Sequence, residues 1–471
     1  MIPSLSNSNI EILLQNLRSL EERPIQTLQT KVDSLNNRIT LFDDLKSKLS
    51  TLSSLAKELK ASGSTSIYGK KSATSSDETV ATVTASSSAV VTSHTLFVSQ
   101  LAKSDQVVSN QYTLSGTDIS TALGAGTFTF DVTVNGTTTS VSVNITAGDD
   151  NETVLNNIVT AVNNTTDVGI KASFVQDSGT TGRLVFTSEE TGADYEMSIS
   201  DTSGSLLSTI GMNDSVQTSG TSGGYVYDST QLNAVVTLDG ISVQSNSNTI
   251  DSALGGVTIN LLKTQQTGEQ SVTINVSNDV ESIKGKIEDF INAYNDVLDF
   301  IITNTAVDTT TYQRSTFSGD YSITNLRFQL REAMGDAVTG LSAGDPTLLT
   351  DLGISIAQNG KLSISDTNKL ENMIRDNLSQ VEQLFNSADG FSVRLDSILD
   401  EMTAGDGILE KRKDVLQNNI TTLNNRIDLI QKSVDKKLEN YRAQFAQLQA
   451  AYSTFVSQSN FISRIAGGFA G

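Results

Sequence analysis

Two periodicities divide this chain. From about Ile10 to Leu59 the apolar positions recur every three or four residues: Ile10, Leu13/Leu14, Leu17 and Leu20, an interruption at Pro24, then Leu28, Val32, Leu35, Ile39, Phe42, Leu45, Leu49, Leu52, Leu55 and Leu59. A stripe sustained at that spacing predicts helices seated in a coiled coil or bundle rather than on an ordinary surface. Pro24 suits the first turn of the second helix, where no intrahelical donor is lost. The same stripe returns at the far end through Leu416, Ile420, Leu423, Ile427, Ile430, Val434, Leu438, Tyr441, Phe445, Leu448, Tyr452 and Phe455. It predicts one helix from Glu410 to Ala466, on the order of 85 Å long at about 1.5 Å per residue. A helix of that length must lie against others, and the N-terminal one is the obvious partner, making the two chain ends one antiparallel rod.

Between these ends the period changes from 3.6 to 2. From Ser62 to about Asn278 the chain is rich in Ser, Thr, Gly and Val and poor in Lys and Arg. "TFTFDVTVNGTTTSVSVNI" predicts a hairpin, with Phe128, Phe130, Val132 and Val134 alternating into an Asn135-Gly136 turn and Val141, Val143 and Ile145 alternating back. "VVTLDGISV" repeats the device at Asp239-Gly240, and "NETVLNNIVTAVNN" predicts a short helix with Val154/Leu155, Ile158 and Val162 on one face. Disorder would not keep such strict alternation.

Helical spacing resumes at Asn278, which with Glu281 has capping-box spacing. Ile283, Ile287, Phe290/Ile291, Tyr294, Leu298 and Ile301 form one buried face, and Ile323, Leu326, Leu330 and Met334 a second. "LGISIAQNGKLSIS" predicts a further hairpin turned at Asn359-Gly360, followed by a helix through Leu370, Ile374, Leu378 and Leu384/Phe385. The fold class expected is therefore α+β and multidomain: antiparallel terminal helical legs of coiled-coil type and a helical body, with a β-rich head inserted. The division expected is residues 1–44 with 430–471 as the terminal leg and 45–72 with 278–429 as the coiled-coil body with its hairpin. Residues 73–112 with 229–277 form a β-rich head domain, and 113–228 an outer α/β head domain. A prior of about 100 to 200 residues per domain agrees with several units.

Charge narrows the partners. There are 53 Asp and Glu against 32 Lys and Arg, a net charge of −21. A chain this acidic, without a basic cluster, is a poor ligand for nucleic acid and is repelled by anionic lipid. No cysteine and one histidine leave no disulfide, thiol nucleophile or cysteine metal site. The start "MIPSLSNSNIEILLQNLRSL" has no basic segment ahead of an apolar run and reads as no secretory leader. No apolar stretch reaches roughly 18 residues, so no membrane span is expected. His94 reads as a surface or edge histidine. The acid pairs Asp43-Asp44, Asp149-Asp150 and Glu189-Glu190 point apart and read as solvated, as does "EKRKD" at the start of the long helix. No nucleophile, base and oxyanion hole assemble, so no enzyme, catalytic residue, metal or cofactor is expected.

Five stretches, "NIEILLQNLRSLEERPIQTLQTKVDSLNNRI", "TLFVSQLAKSDQVVS", "NTIDSALGGVTINLLK", "DVESIKGKIEDFINAYNDVLDFI" and "LGISIAQNGKLSISDTNKL", run in one order along nearly the whole chain. In them the sequence resembles the bacterial flagellar filament-capping, or hook-associated protein 2, family. The helix "ETVLNNIVTAVNN" also looks like a short repeat of flagellin-type heads. The resemblance implies a structural cap at the distal tip of the flagellar filament, formed by a ring of copies of itself, commonly a pentamer. It implies heads that make a plate and helical legs that reach the filament, so that exported flagellin folds and inserts beneath without being lost. It further implies flagellin, the hook–filament junction protein and an export chaperone as partners, and secretion unfolded through the flagellar type III pathway. The alternatives are another axial protein (flagellin or a junction protein) and a coiled-coil surface adhesin with a β head.

The end of the chain, "FAQLQAAYSTFVSQSNFISRIAGGFAG", carries its stripe where soluble proteins usually fray. The candidate assembly surface is Ile10, Leu13, Leu17 and Leu20 with Leu438, Tyr441, Phe445, Leu448, Tyr452, Phe455, Phe461, Ile462, Ile465 and Phe469. The tail either waits for a partner's helix or pairs with Ile10–Leu20 inside one subunit, and the two can coexist.

Overall fold

The computed structural model describes residues 7–213 and 215–468. Among these residues eleven α-helices run in chain order: α1 (Asn7–Glu21), α2 (Arg23–Lys60), α3 (Asp118–Leu123), α4 (Asn151–Asn164), α5 (Leu206–Ile210), α6 (Val280–Thr305), α7 (Tyr321–Gly335), α8 (Thr367–Asp376), α9 (Leu378–Asn386), α10 (Phe391–Thr403) and α11 (Ile408–Gly468). The chain divides into two compact units. One joins the residues up to Tyr68 to those from Val280 onward; the other is Gly69–Asp279.

The first unit is a helical bundle with one hairpin. Its core is set by the three-four spacing of α2, which turns Phe42, Leu45, Leu49, Leu52, Ala56 and Leu59 to one side and buries them completely or nearly so. Ile283, Ile287, Phe290, Tyr294, Leu298 and Ile301 of α6 share that core, as do Leu326 and Leu330 of α7 and Leu395 and Leu399 of α10. Each such side chain contributes about 1.5–3 kcal/mol on leaving water. Polar tips are matched: the Tyr294 hydroxyl donates to the Leu330 carbonyl at 3.2 Å, and burial pushes its pKa up. Asp320 caps α7 by accepting from the Ser322 amide, and Asp366 caps α8 by accepting from Lys369. The hairpin pairs Ile354–Ile356 with Leu362–Ile364. Its loop is longer than the two-residue turn expected, with only Gly360 at positive φ (91°).

Ion pairs give the direction of the long helices. Lys413 meets Asp43 at 2.6 Å, Lys437 meets Glu21 at 2.8 Å and Arg442 meets Glu11 at 3.7 Å, so α11 runs antiparallel to α2 and α1. Only Glu22, itself in helical conformation, separates α1 from α2, and Pro24 sits in the first turn of α2 as its fixed φ favours.

The second unit holds two apolar cores. In the first, a five-stranded antiparallel sheet runs in the order Lys71–Ser75, Val272–Asn278, Ser93–Gln100, Ala234–Leu238, Ile241–Ser245. A three-stranded sheet of Thr249–Leu254, Val257–Leu261 and Ala81–Ala85 shares its core, which includes Leu96, Val98, Val236, Ile250, Ile259 and Ile274. In the second core, Val154, Leu155, Ile158 and Val162 of α4 lie among Phe130, Val141, Val143 and Phe186 from the strands Gly126–Val134, Thr137–Ile145 and Thr181–Thr191. Both two-residue turns form as their sequences demand: Asn135-Gly136 at φ 46° and 73°, Asp239-Gly240 at 50° and 83°. The first and last strands of the unit pair with each other, Lys71 opposite Asn278.

Four local expectations need correction. Helical spacing does not resume at Asn278: that residue ends a strand and accepts a hydrogen bond from Lys71 Nζ at 3.0 Å, and α6 begins at Val280. His94 is on an interior strand of the five-stranded sheet, not an edge, and its Nδ1 lies 2.6 Å from Asp239 Oδ2 of the hairpin turn. That hydrogen bond is the main reason the Asp239 pKa is lowered. The acid pairs are not merely solvated: Asp43 holds Lys413, Asp150 caps α4 through the Thr153 amide, and Glu189 pairs with Lys171. "EKRKD" is a lock between helices, since Glu410 binds Lys46 of α2 at 2.8 Å and Arg412 binds Asp320 at 3.0 Å.

Candidate assembly surface

The 4-3 spacing of Ile10, Leu14 and Leu17 puts all three on the face of α1 that meets α11. Leu14, 3% exposed, lies in one cluster with Val434 and Leu438, and Ile10, Leu17, Ile430, Tyr441 and Phe445 pack around it. Leu13 and Leu20, one heptad apart, fall on the flank instead and stay exposed with Ile12. Leu14 and Val434 are thus the centre of the contact; the Leu13/Leu14 step of the stripe left both registers open, and Leu13, named with the candidate assembly surface, stays exposed. Arg18–Asp435 at 3.6 Å joins the Lys437–Glu21 and Arg442–Glu11 pairs across the seam. The Glu21 hydrogen bond holds the Lys437 pKa above its usual value. Exposed pairs of this kind contribute about 0–1 kcal/mol, enough to choose a register and little more.

Beyond Phe445 the cluster ends while α11 continues to Gly468. The stripe now faces solvent: Leu448, Phe455 (63% exposed), Phe461, Ile462 and Ile465 are exposed, and Tyr452 is half-buried. Phe469 lies outside the described residues. The site residues named from sequence therefore separate into three groups. Ile10, Leu17, Leu438, Tyr441 and Phe445 meet in the α1–α11 seam, Leu13 and Leu20 flank it, and Leu448, Tyr452, Phe455, Phe461, Ile462 and Ile465 lie past it.

Further in, α2, α7 and α11 converge on a buried carboxylate. Asp320, 1% exposed at its side chain, accepts from Arg38 at 2.7 Å and Arg412 at 3.0 Å, and Arg412 also donates to the Ser322 hydroxyl at 2.7 Å. The Arg38 guanidinium also lies within 6 Å of the Phe42 and Phe317 ring centres. The cluster joins the end of the bundle to the long helix pair. Sequence spacing could not have found it, because its three members are distant in the chain.

Among the described residues no group of three or more His, Cys, Asp or Glu is placed to hold a metal ion, and no helix is long and apolar enough to cross a membrane. What the geometry offers is surface: a terminal helix pair whose apolar stripe outruns its intramolecular cover. A subunit finished by assembly with other chains has that form. Two family models match, flagellar hook-associated protein 2 N-terminus over residues 6–105 and flagellar hook-associated protein 2 C-terminus over residues 232–457. The A-type flagellar hook-associated protein 2 of Pseudomonas aeruginosa is 29% identical over 94% of this chain and 92% of its own length. The flagellar hook-associated protein 2 of Xenorhabdus nematophila is 25% identical over 98% of each. The crystal structure of the D1-D2-D3 domains of the flagellar cap protein FliD from Escherichia coli superposes with a TM-score of 0.57 at 23% identity, covering 80% of this chain and all but 1% of that one. The chain belongs to the flagellar hook-associated protein 2 family.

Proposed function

We propose that this chain docks on the flagellar filament through α1 and the projecting end of α11, and that flagellin supplies the missing helical partner. The chain is a structural cap at the filament tip, and with its family established the readings as a flagellin, a junction protein or an adhesin are not favoured. The observation that carries the docking is the continuous stripe on α11, covered as far as Phe445 and then exposed at Leu448, Phe455, Phe461, Ile462 and Ile465. Leaving several large apolar side chains in water forgoes about 1.5–3 kcal/mol each, so a helical partner is the expected cover.

The finer parts of the reading follow from it. The cap is a ring of identical subunits, with five as the working number. Incoming flagellin folds and inserts beneath it, and the hook–filament junction protein is its first seat. A dedicated export chaperone covers the α11 stripe beforehand, and a cysteine-free chain crosses the flagellar type III channel unfolded. The role is mechanical rather than catalytic. The division into leg, body, β-rich head and outer head is supported by the two cores of the second unit and by the separate Leu14 cluster, which begins at Ile430 on α11.

The test is Phe455→Glu. The purified subunit should melt as the wild type does, while cells carrying it release unpolymerised flagellin into the medium. A large loss of melting temperature, with no leakage beyond what low subunit levels explain, would show that Phe455 serves the subunit's own core.

A further inference from the structure

Below the Asp320 cluster α2 and α11 run side by side with one flank of their seam open. Two grooves follow each other there, one of about 320 Å3 between Arg38, Phe42, Lys411, Val415 and Leu416, the other of about 380 Å3 between Lys31, Leu35, Thr422 and Leu423. The α2 side of this trough continues the bundle. Residues 31, 38, 45, 52 and 59 are spaced by heptads, and Leu45, Leu52 and Leu59 of that set are buried in the bundle core. Its two outer members are Lys31 and Arg38. The trough is therefore a helix-binding position on α2 that α6, α9 and α10 fill further along and leave vacant here. On α11, Val415 (59% exposed) and Leu429 (67%) lie two heptads apart on the same outer face.

Its charge is the reverse of the molecule's. In a chain of net charge −21, the two grooves are lined by Lys31, Arg38, Lys411 and Arg412 and by no carboxylate. Asp320 serves both arginines. Among the described residues no carboxylate lies within ion-pair distance of Lys31 or Lys411, so both cations remain available.

We infer that this trough takes an amphipathic helix of flagellin whose apolar stripe is flanked by carboxylates, completing a three-helix bundle. The inference rests on the cap reading above and adds to it the place and the chemistry of one contact. Cations flanking an apolar trough select partners by charge as well as by burial. The projecting end of α11 from a second copy does not match: between Ala446 and Gly468 its only charge is Arg464, a cation.

Two experiments test it on the full chain. In the first, benzoylphenylalanine replaces Val415, the protein is assembled on filaments and irradiated, and the adduct is identified by mass spectrometry. The expected adduct is with a flagellin helix bearing Asp or Glu within one turn of its apolar stripe. An adduct with a second copy, with a carboxylate-free segment, or with nothing, overturns the inference. In the second, two designed helical peptides with the same Leu stripe, one flanked by Glu and one by Lys, are titrated by fluorescence anisotropy. The Glu peptide should bind at least about tenfold tighter, and Lys31→Glu with Lys411→Glu should invert the preference while leaving melting unchanged. Equal binding of both peptides overturns the inference. Labelled wild-type protein on filaments separates the two layers. Absence from tips sinks the cap reading, whereas tip binding with a negative Val415 adduct sinks the trough alone.

Discussion

The inner and outer halves of the terminal seam obey one spacing and meet opposite fates. Leu45, Leu52 and Leu59 are shut away in the core that α6, α9 and α10 form against α2, whereas Leu448, Phe455 and Ile462, at the same three-four rhythm, stand in solvent. Nothing in the rhythm distinguishes them. Apolar periodicity states that a face needs cover, and whether the cover comes from the same chain depends on elements hundreds of residues away. In an assembly protein the uncovered half is where the rest of the assembly is expected.

Substitutions can break or sharpen that contrast, and the largest effect belongs to the covered half. Leu52→Ala should cost about 2–5 kcal/mol in the denaturant unfolding of the helical signal, as for a closely packed leucine leaving a cavity. A cost below about 1 kcal/mol would mean the inner seam is as loosely held as the outer one.

A control comes from the second unit, whose cores contain no residue of either half. Asp105 is fully buried; its Oδ2 accepts from the Met197 amide at 2.9 Å while Oδ1 has no partner, and desolvation lifts its pKa to about 6. An acid with a raised native pKa favours folding while protonated in both states. That contribution is full below the ordinary value near 3.8 and is lost as pH rises through about 6. Shifting from pH 4 to pH 7 should therefore reduce the wild type's stability relative to Asp105→Asn by up to about 3 kcal/mol. The check is urea unfolding of both proteins at the two values, followed in the β-sheet signal. The helical unit's transition should show no such difference.

The boundary between the halves is next in size. Asp320→Ala removes the shared acceptor of Arg38 and Arg412 and the cap of α7, and should cost about 2 kcal/mol. That is less than for a deeply buried pair, because both guanidinium groups retain access to water. Hydrogen exchange should then rise at the start of α7 and around Arg38, and leave the Leu52 region protected. The smallest expected change is Phe455→Glu in the free subunit, within about 0.5 kcal/mol by thermal melting.

The sequence made the fold class legible because its signals were local and strong. Asn135-Gly136 and Asp239-Gly240 name their turn, and Val154, Leu155, Ile158 and Val162 name a helix face. The misplaced details share one cause. Asn278, His94 and the charges of "EKRKD" each act through a partner far away in the chain: Lys71, Asp239, Lys46 and Asp320. Local pattern cannot see such pairings. On the candidate surface the stripe itself was legible; that Leu14 rather than Leu13 faces α11 depends on the helix phase that Val434 and Leu438 set. The trough beside Lys31 and Lys411 was invisible because it is a gap between two helices.

The strand pair that joins Lys71 to Asn278 also changes the entropy of building the bundle. The α2–α6 contact has to draw together two points more than two hundred residues apart, Tyr68 and Val280. For a free chain of that length, closing the loop costs roughly 5 kcal/mol from its length dependence alone. Once Gly69–Asp279 has folded and zipped its own ends, only residues 61–70 and Asp279 separate α2 and α6 outside the paired strands. The insertion then acts as a clasp, and what remains for the bundle is the late arrival of α11, whose Lys413 must still find Asp43.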